Sequence, residues 1–496
     1  MRYTGAKLLE QLRAFTRQSS VCGLSNDEVE YFFSRDPLLR QAIEQAIDNI
    51  QFIDLEFPGL KELTEDALQQ SLGEDFLNFY PPATSSPYVP LAARGPWIVT
   101  AGGAVVYEAG GYGMLGHGHD PDCIREAMAT RQTMANIMTP SFSQHRTGKQ
   151  LKALIGHKHS TQQCPFSKFI FMNSGSEAMG VALRISDAHA KKATDTGGQH
   201  RGKRVRIMSF RGSFHGRTYR AARISGSTSN KYEAALASFS DHSDWIEVPV
   251  NDVSRFHELF DNLVREECFI ESLVLEPVMG EGNPGYPLSR EFYDAARART
   301  KEHGSFLIID SIQAGLRAHG VLSVIDYPEF ETCEPPDMEV YSKALNGGQY
   351  PLSVLAMQQW AADEYALGTY GNTMTAAPRA LDVASQVLKA CSPSLEKNIC
   401  SKGKEFLTKL QALQQELPDL ILKVQGTGLL LSAELSPEIL VVGNDGAEQR
   451  LRRTGVNVIH GGKNSLRYTP WFLISSDEID LVIRKSRETI LSLVSK

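Results

Sequence analysis

The sequence predicts an α/β protein. Helices flank a mostly parallel central sheet in a large domain, and both chain ends contribute to a smaller α+β domain. Two observations support this fold class. Between residues 165 and 360, apolar runs of strand length alternate with helical segments, which is the pattern that parallel sheets produce. The chain also has 496 residues, more than a single hydrophobic core usually supports.

Each predicted element of the central region has a local signal. The apolar runs of strand length span residues 169–172, 205–210, 273–276, 306–310 and 352–357. One helix is predicted over 177–192. Another is predicted over 289–303, where Ser289 is a suitable N-cap and Gly304 a suitable C-terminal stop. Because ligands bind beyond the carboxyl ends of parallel strands, functional residues are expected directly after these strands.

The two ends of the chain have a different pattern. Before residue 90, helical periodicity is present at 38–53 and 67–79, followed by a stretch rich in proline and serine at 80–87. Short β-like runs follow at 96–100 and 104–107. After residue 380 we expect a long helical segment over 380–417, strands near 428–434 and 465–471, and a final helix over 476–494.

These patterns predict four segments. Residues 1–86 form a helical N-terminal extension, and residues 87–140 form the N-terminal part of the small domain. Residues 141–380 form the large domain, in which a cofactor is expected, and residues 381–496 form the C-terminal part of the small domain.

Composition argues against several classes of partner. The net charge is −7, with 42% hydrophobic and 22% charged residues, which are ordinary values for a soluble globular protein. No basic stripe is present, so we expect no nucleic-acid partner. No apolar run approaches the roughly 18 residues of a membrane span, so we expect no membrane partner.

Cysteine and histidine positions predict no metal site. The seven cysteines are scattered and include no C-x-x-C pair, which favours a reducing compartment without disulfides. His117 and His119 have no third ligand nearby. One interpretation of the basic first twenty residues is an organellar transit segment. The favoured interpretation is an amphipathic surface helix, because Leu8, Leu9, Leu12 and Phe15 lie at helical spacing. We therefore predict a cytoplasmic location, with the mitochondrial matrix as the alternative.

Two turns are candidates for binding a phosphorylated ring. At 173–178, Asn-Ser-Gly-Ser-Glu-Ala joins an apolar strand to the helix predicted over 177–192, and the free N–H groups of such a helix can hold a phosphate. At 214–218, Phe-His-Gly-Arg-Thr places an aromatic face beside a cation, which suits a flat ring with an attached anion. An ordinary strand-to-helix turn and a surface loop are the alternatives.

Two single residues stand out by their surroundings. Asp310 ends a buried apolar strand, where an acid is costly unless it is paired; a protonated pyridine nitrogen would pair with it. Lys343 lies in an uncharged, glycine-rich segment between two strands, where an amine can lose its proton and form a Schiff base. A capping aspartate and a solvated lysine are the alternatives, but the four sites in combination favour a pyridoxal phosphate enzyme.

Taken in order, these segments resemble the class III (ω-amino-acid) aminotransferases of fold type I, which use pyridoxal 5'-phosphate (PLP). The resemblance runs from about Pro87 to the end of the chain, and it includes the segments 87–95, 116–121, 276–282 and 371–373. Its site residues are most similar to those of the ornithine, lysine and acetylornithine aminotransferases. The resemblance implies transamination of a terminal amine, a small-molecule amino donor, a 2-oxo acid acceptor, and a homodimer with sites at its interface.

The resemblance also implies which residues act on the cofactor. Lys343 would form the Schiff base with PLP and Asp310 would pair with the ring nitrogen, so these two are the predicted catalytic residues. The other implied cofactor-binding residues are Gly175, Ser176, Phe214, His215, Glu276, Gln313 and Thr373.

Several of these contacts have a specific implied partner. Gly175 and Ser176 would donate hydrogen bonds to the phosphate, and Phe214 would stack on the pyridine ring. Gln313 would contact the ring hydroxyl, while Thr373 would reach the phosphate bound in the neighbouring subunit.

The resemblance further implies a substrate pocket. In the ornithine, lysine and acetylornithine members, the arginine matching Arg217 holds a substrate carboxylate. The arginine matching Arg467 holds the carboxylate of 2-oxoglutarate, and a glutamate matching Glu281 pairs with it when no dicarboxylate is bound. A simple ion pair between Glu281 and Arg467 is the alternative. The sequence does not determine the amino donor.

The chain departs from the family pattern at several positions. Ser311 stands where the family usually has glutamate, Asn372 where serine is usual, and Met279 where glutamine is usual. Residues 1–86 have no counterpart in the basic family pattern. We expect them to cover the active-site entrance or to extend the dimer interface.

Other functions remain open at this point. The same scaffold supports aminomutases and decarboxylating aminotransferases, and a non-catalytic PLP-binding protein is a further alternative. A nucleotide-dependent oxidoreductase would rest on the G-x-G-x-x-G pattern at 280–285. Pro284 and the lack of a helix before Ser289 disfavour that last interpretation.

Overall fold

The computed structural model describes residues 4–14, 19–59, 62–241 and 243–494. Its helices are α1 Gly5–Arg13, α2 Asn26–Phe33, α3 Pro37–Glu56, α4 Glu65–Gly73, α5 Asp122–Ala129, α6 Phe142–Leu154, α7 Gly175–Thr194, α8 Tyr219–Arg223, α9 Ser229–Ala235, α10 Val253–Arg265, α11 Arg290–His303, α12 Gln359–Asp363, α13 Pro378–Ala390, α14 Pro393–Glu416, α15 Ala447–Arg453 and α16 Ser476–Val494.

The described residues also form fifteen strands. They are β1 Pro90–Arg94, β2 Trp97–Thr100, β3 Val105–Glu108, β4 Lys168–Met172, β5 Arg204–Phe210, β6 Trp245–Val248, β7 Cys268–Leu275, β8 Phe306–Asp310, β9 Met338–Tyr341, β10 Ser353–Met357, β11 Ile421–Thr427, β12 Leu430–Leu435, β13 Val456–Asn457, β14 Ile459–Gly461 and β15 Ser465–Tyr468.

The chain divides into two compact units. The first comprises residues 1–122, 401–425 and 431–496, and the second comprises residues 123–400 and 426–430. The second unit begins before residue 141 and extends past residue 380, which were the predicted limits of the large domain. The helical extension 1–86 belongs to the same unit as residues 87–122.

The second unit is built on a seven-stranded sheet with strand order β4-β10-β9-β8-β7-β5-β6. Strands β5 to β9 pair in parallel, whereas β10 is antiparallel to both β4 and β9. Every residue of β7 and β8 is buried, which explains why neither strand shows the alternating pattern of a half-exposed strand. The mostly parallel sheet flanked by helices is therefore confirmed.

Local signals located several helix ends correctly. Ser289 caps α11, with its Oγ 3.2 Å from the backbone nitrogen of Phe292. The helix ends at Gly304, which adopts a left-handed φ of 71°, a conformation that glycine reaches without steric cost. The final helix, α16, has the predicted bounds.

Three sequence predictions need correction. The helix predicted over 67–79 ends at Gly73. The segment predicted as helical over 380–417 is two helices, α13 and α14, because Pro393 has no N–H to donate and disfavours helical backbone in the residue before it. Strand β11 was missed because much of it is exposed and it contains no continuous apolar run.

The first unit contains two four-stranded sheets, with strand orders β1-β2-β3-β13 and β11-β12-β15-β14. Helix α3 packs against β1 and β2. The amphipathic helix predicted near the N-terminus corresponds to α1, in which Leu9 and Leu12 are buried; Phe15 lies outside the described residues. Among the described helices, none has the length and apolarity needed to cross a membrane.

Arg452 links the end of the N-terminal extension to α15. Its guanidinium is fully buried and donates from Nη1 to the carbonyl of Thr84 at 2.7 Å and from Nη2 to Glu448 at 2.6 Å. Its Nε donates to Asn457 at 2.9 Å. The extension is therefore joined to the fold by buried, charge-assisted hydrogen bonds, which are stronger than neutral ones.

We predict that Arg452→Ala destabilises the protein by about 3–5 kcal/mol, because the variant leaves the buried carboxylate of Glu448 without its cation. Urea unfolding followed by tryptophan fluorescence measures the effect. Arg450→Ala is the matched control, since Arg450 lies on the same helix but bonds Ser492 at the surface. Equal losses in both variants would contradict the prediction.

Candidate active site

The carboxyl ends of six strands lie at one edge of the seven-stranded sheet. Strands β5 to β9 are parallel, and β4 runs in their direction because both β4 and β9 are antiparallel to β10. The predicted cofactor residues at this edge are Gly175 and Ser176 after β4, Phe214 and His215 after β5, Glu276 after β7, Asp310 at the end of β8, and Lys343 after β9.

The turn between β4 and α7 has the geometry of an anion site. Ser174 caps the helix, with its Oγ 3.2 Å from the backbone nitrogen of Glu177. The hydroxyl of Ser353 holds this turn by donating to the carbonyl of Ser174 at 2.7 Å. A Cβ at Gly175 would lie 2.7 Å from the end of the Ile312 side chain, so a larger residue there would have to displace that side chain. The first N–H groups of α7 are therefore held at the sheet edge, where they can bind a phosphate.

The loop after β5 packs against this turn. The backbone N–H of Arg217 donates to the hydroxyl of Ser176 at 3.0 Å. Gly216 has a φ of 126°, and a Cβ there would lie 2.2 Å from the same hydroxyl. The guanidinium carbon of Arg217 is 5.4 Å from the ring centroid of Phe214. The aromatic ring, the arginine and the helix N-terminus are thus neighbours.

Glu276 fixes the position of Phe214. Its two carboxylate oxygens accept from the N–H groups of Phe214 at 3.0 Å and Gly280 at 2.8 Å. Burial is the main influence on the pKa of Glu276 and raises it to about 7, with His215 opposing this rise and the charge of Asp310 adding to it. Its structural role is to bridge two loops at the sheet edge.

Asp310 is buried and paired. Its Oδ2 lies 2.8 Å from Nδ1 of His215, and its Oδ1 accepts from the N–H of Ile312 at 3.1 Å. Both side chains are almost completely shielded from solvent. Among the described residues, Nε2 of His215 has no hydrogen-bond partner. The histidine therefore keeps a carboxylate oriented in a site where its charge would otherwise be costly.

Lys343 occupies a strained turn. Its φ is 47°, a left-handed conformation that costs a non-glycine residue about 1–3 kcal/mol. The turn is held on both sides, since Ser342 Oγ and Asn346 Nδ2 both donate to the carbonyl of Leu352, at 2.8 and 2.9 Å. Strained residues of this kind concentrate at functional sites.

The four remaining predicted residues differ in burial and in their place in the fold. Gln313 is buried beside Gly280, where a Cβ would lie 2.3 Å from the Gln313 amide. Glu281 is half-buried in the next position, and Thr373 is exposed on the loop 370–375. Arg467 is buried on β15 in the first unit. The roles that the resemblance implies for these four residues stay predictions.

Sequence reasoning missed Glu339, a fully buried acid in the middle of β9. Its Oε1 accepts from the Ser311 hydroxyl at 2.6 Å and from the N–H of Val324 at 3.0 Å, and Ser323 donates to its Oε2. Burial raises its pKa to about 7. A charged residue inside an apolar strand was the available signal. Ser311, which departs from the family's glutamate, is thus bonded to a carboxylate on the adjacent strand.

These residues fit PLP. The unit supplies a helix N-terminus for the phosphate, an aromatic side chain, a buried carboxylate oriented by histidine, and a lysine, all at one sheet edge. Among the described residues, no group of three His, Cys, Asp or Glu side chains could hold a metal ion.

Comparisons with known proteins agree on one family. Residues 80–490 match the family model described as aminotransferase class III. The chain is 27% identical over 354 residues to a mitochondrial acetylornithine aminotransferase of Neurospora crassa, covering 71% of each. It is 26% identical over 418 residues to a succinylornithine transaminase of Citrobacter koseri, covering 83% of this chain and 94% of the relative.

The fold has close counterparts among solved structures. An ornithine aminotransferase from Toxoplasma gondii superposes with a TM-score of 0.74, covering 89% of this chain and 99% of that chain, at 19% identity. The common fold is therefore retained although about four residues in five differ.

We predict that Glu339→Gln changes how stability depends on pH. Because the folded-state pKa of Glu339 is about 7, above its ordinary value of 4.5, its contribution is fully present below about pH 4.5 and is lost as pH rises to about 7. Between pH 4.5 and pH 7, the free energy of unfolding of the wild type should therefore fall by up to roughly 3 kcal/mol more than that of the variant. The melting temperature of the wild type should fall more steeply as a result.

Differential scanning fluorimetry at a series of pH values makes this comparison. Glu302→Gln is the control, because the Glu302 carboxylate is mostly exposed. Other buried acids titrate equally in all three proteins and cancel. Parallel wild-type and Glu339→Gln curves would show that the Glu339 assignment is wrong.

Proposed function

The chain belongs to the class III aminotransferases, which are PLP-dependent enzymes of ω-amino transamination, and from this premise we propose a ping-pong reaction with 2-oxoglutarate as acceptor. The observation that carries the proposal is the joint position of Asp310 and Lys343 after adjacent strands of one sheet. The turn that begins α7 lies at the same edge and supplies the phosphate site.

The chain's own residues have separable tasks in this reaction. PLP, when bound, supplies an electron sink for the substrate carbon that carries the amine. Asp310 would pair with the ring nitrogen and keep it protonated, and His215 holds that carboxylate in position. Phe214 would support one face of the ring, while Gln313 would contact its hydroxyl.

Lys343 has two tasks in the proposal. It would hold the cofactor before substrate binds, and its amine would then accept a proton from the substrate carbon and pass it on, as general base and acid. The strained turn around Lys343 favours this use, because its backbone is held by Ser342 and Asn346 and the side chain starts from a fixed point.

Substrate recognition is assigned to two arginines. Arg217, beside Phe214, would hold the carboxylate of the amino donor, and Arg467 would hold the distal carboxylate of 2-oxoglutarate, with Glu281 as its partner when no dicarboxylate is bound. The names of the relatives indicate a donor class, since ornithine, acetylornithine and succinylornithine all carry a primary amine distant from a carboxylate. An amine of this type is the proposed donor.

A homodimer is the proposed assembly. In two neighbouring segments of the second unit, six large apolar side chains are at least half exposed: Met134, Ile137, Met138, Phe142, Leu367 and Met374. Ile137 lines one surface cavity of about 380 Å³ together with Tyr370, Gly371 and Asn372. Exposed apolar patches of this kind mark protein interfaces. Thr373 lies in the loop 370–375, which contributes Met374 to this patch.

The location stays a prediction. We propose a cytoplasmic enzyme, with the mitochondrial matrix as the alternative; the Neurospora crassa relative is named as mitochondrial.

The proposed function predicts an absorbance response. The purified protein should show the yellow band of lysine-bound PLP. One ω-amino acid or diamine from a panel should bleach this band, and 2-oxoglutarate should restore it. Release of carbon dioxide, or turnover without an oxo acid, would instead indicate a decarboxylating enzyme or an aminomutase. A protein that takes up no PLP would refute the proposal.

Lys343→Ala is the matched variant for this test. It removes only the anchoring amine, so we expect PLP to bind without the lysine-linked band, and turnover to fall by at least about 10³-fold, since both covalent linkage and proton transfer are lost. Circular dichroism checks that the fold is retained. Near-normal turnover in this variant would rule out the assigned role of Lys343.

We predict that Met138→Glu/Phe142→Glu weakens the dimer. Two charges in a buried apolar interface have no partner and are costly to desolvate, so the dissociation constant should rise by at least about 100-fold. Analytical ultracentrifugation over a concentration series measures the change. Leu440→Glu is the control, because Leu440 is similarly exposed but lies in the first unit. A wild-type monomer at all concentrations would refute the dimer.

A further inference from the structure

The carboxylate of Glu177 joins two elements of the second unit. Its Oε2 accepts from the backbone N–H of Asn173 at 2.8 Å, inside the phosphate turn, which we define as residues 173–176. Its Oε1 accepts from the side-chain amide of Asn372 at 2.8 Å and from the hydroxyl of Tyr370. Both of these residues belong to the loop 370–375. One carboxylate thus bonds the phosphate turn on one side and the loop on the other.

These bonds favour the ionised form of Glu177. Burial is the largest influence and raises the pKa, but hydrogen bonds from Tyr370, Asn173 and Asn372 together outweigh it and leave the pKa below its ordinary value. Hydrogen bonds to an ionised acceptor are roughly twice as strong as neutral ones. The link between the turn and the loop is therefore charge-assisted at neutral pH.

A second residue of α7 holds the same loop. Arg184 donates from Nη1 to the carbonyl of Thr369 at 2.7 Å, and its guanidinium lies 6.0 Å from the ring centroid of Tyr370. Within the loop, the carbonyl of Asn372 accepts from the N–H of Thr375 at 3.2 Å and from its hydroxyl at 2.7 Å. The helix whose N-terminus forms the phosphate turn therefore also sets the position of the loop.

Asn372 gives this link a feature specific to the chain. The family resemblance predicts serine at this position, and the asparagine present instead has a longer side chain whose amide reaches Glu177 at 2.8 Å. Its Oδ1 also accepts from the N–H of Met374 at 3.1 Å. The departure from the family pattern thus adds a direct bond between α7 and the backbone that carries Thr373.

We infer that Glu177 is a positioning residue that couples phosphate binding at the phosphate turn to the position of the loop 370–375. The inference rests on the proposed PLP function and homodimer. Coupling of this kind is reciprocal, so whatever orders the turn also orders the loop. Since Thr373 is assigned to the phosphate in the neighbouring subunit, PLP bound at one site prepares the loop that completes the other, and the two sites fill cooperatively.

The test is a titration of the cofactor-free protein with PLP, followed by tryptophan fluorescence, together with amide hydrogen exchange of the loop 370–375. The wild type should bind PLP with a Hill coefficient above 1. In Glu177→Gln the apparent affinity should fall by about tenfold, which corresponds to the loss of one charge-assisted link. Its Hill coefficient should fall to 1, and the loop amides should exchange faster even before PLP is added.

Two further variants make the comparison specific. Glu364→Gln is the control. The Glu364 carboxylate bonds Lys192 of α7 at 2.8 Å but contacts neither the phosphate turn nor the loop 370–375, so this variant should bind PLP as the wild type does. Asn372→Ser removes one bond on the loop side and should give an intermediate loss. The double variant Glu177→Gln/Asn372→Ser should bind PLP no more weakly than Glu177→Gln alone, because both changes break the same link.

The outcomes separate this inference from the proposed function. If the wild type takes up PLP but Glu177→Gln and Asn372→Ser bind it with unchanged affinity, the coupling is refuted and the aminotransferase proposal stands. A wild-type Hill coefficient of 1 refutes cooperative filling in the same way. A wild type that binds no PLP overturns the function and this inference together. Circular dichroism and sedimentation confirm that each variant is folded and dimeric.

Discussion

The direction of the central strands is the constraint on which the site depends. The five parallel strands β5 to β9 end at one edge of the sheet, and β4 ends there as well because β10 is antiparallel to both of its neighbours. Polar groups that are far apart in the chain therefore meet where the apolar sheet ends.

Burial gives each of these polar groups a required partner. Asp310 is paired with His215, Glu276 with two backbone N–H groups, and Glu339 with Ser311 and Ser323. An unpaired carboxylate at any of these positions would cost several kcal/mol. The hydrogen bonds thus stabilise the fold and orient the reactive groups at the same time, and Glu177 extends this arrangement from the phosphate turn to the loop 370–375.

Much of the site was predictable from local patterns. A strand followed by a small-residue turn and a helix located Gly175 and Ser176, and the strand that ends in an acid located Asp310. Lys343 stood out as a charge within a glycine-rich segment. Such signals survive in the sequence because each depends on residues within a few positions of one another, as the capped ends of α11 also show.

The sequence by itself determined the fold class, five of the seven central strands and the candidate residues that follow them, because periodicity, capping and turn chemistry are local. Only the tertiary structure decided the bond between His215 and Asp310, the pairing of Ser311 with Glu339, and the link from Glu177 to Asn372. It also decided the break between α13 and α14. The bonds of His215 and Glu177 join residues 95 and 195 positions apart, a separation that no local pattern records and only strand order brings together.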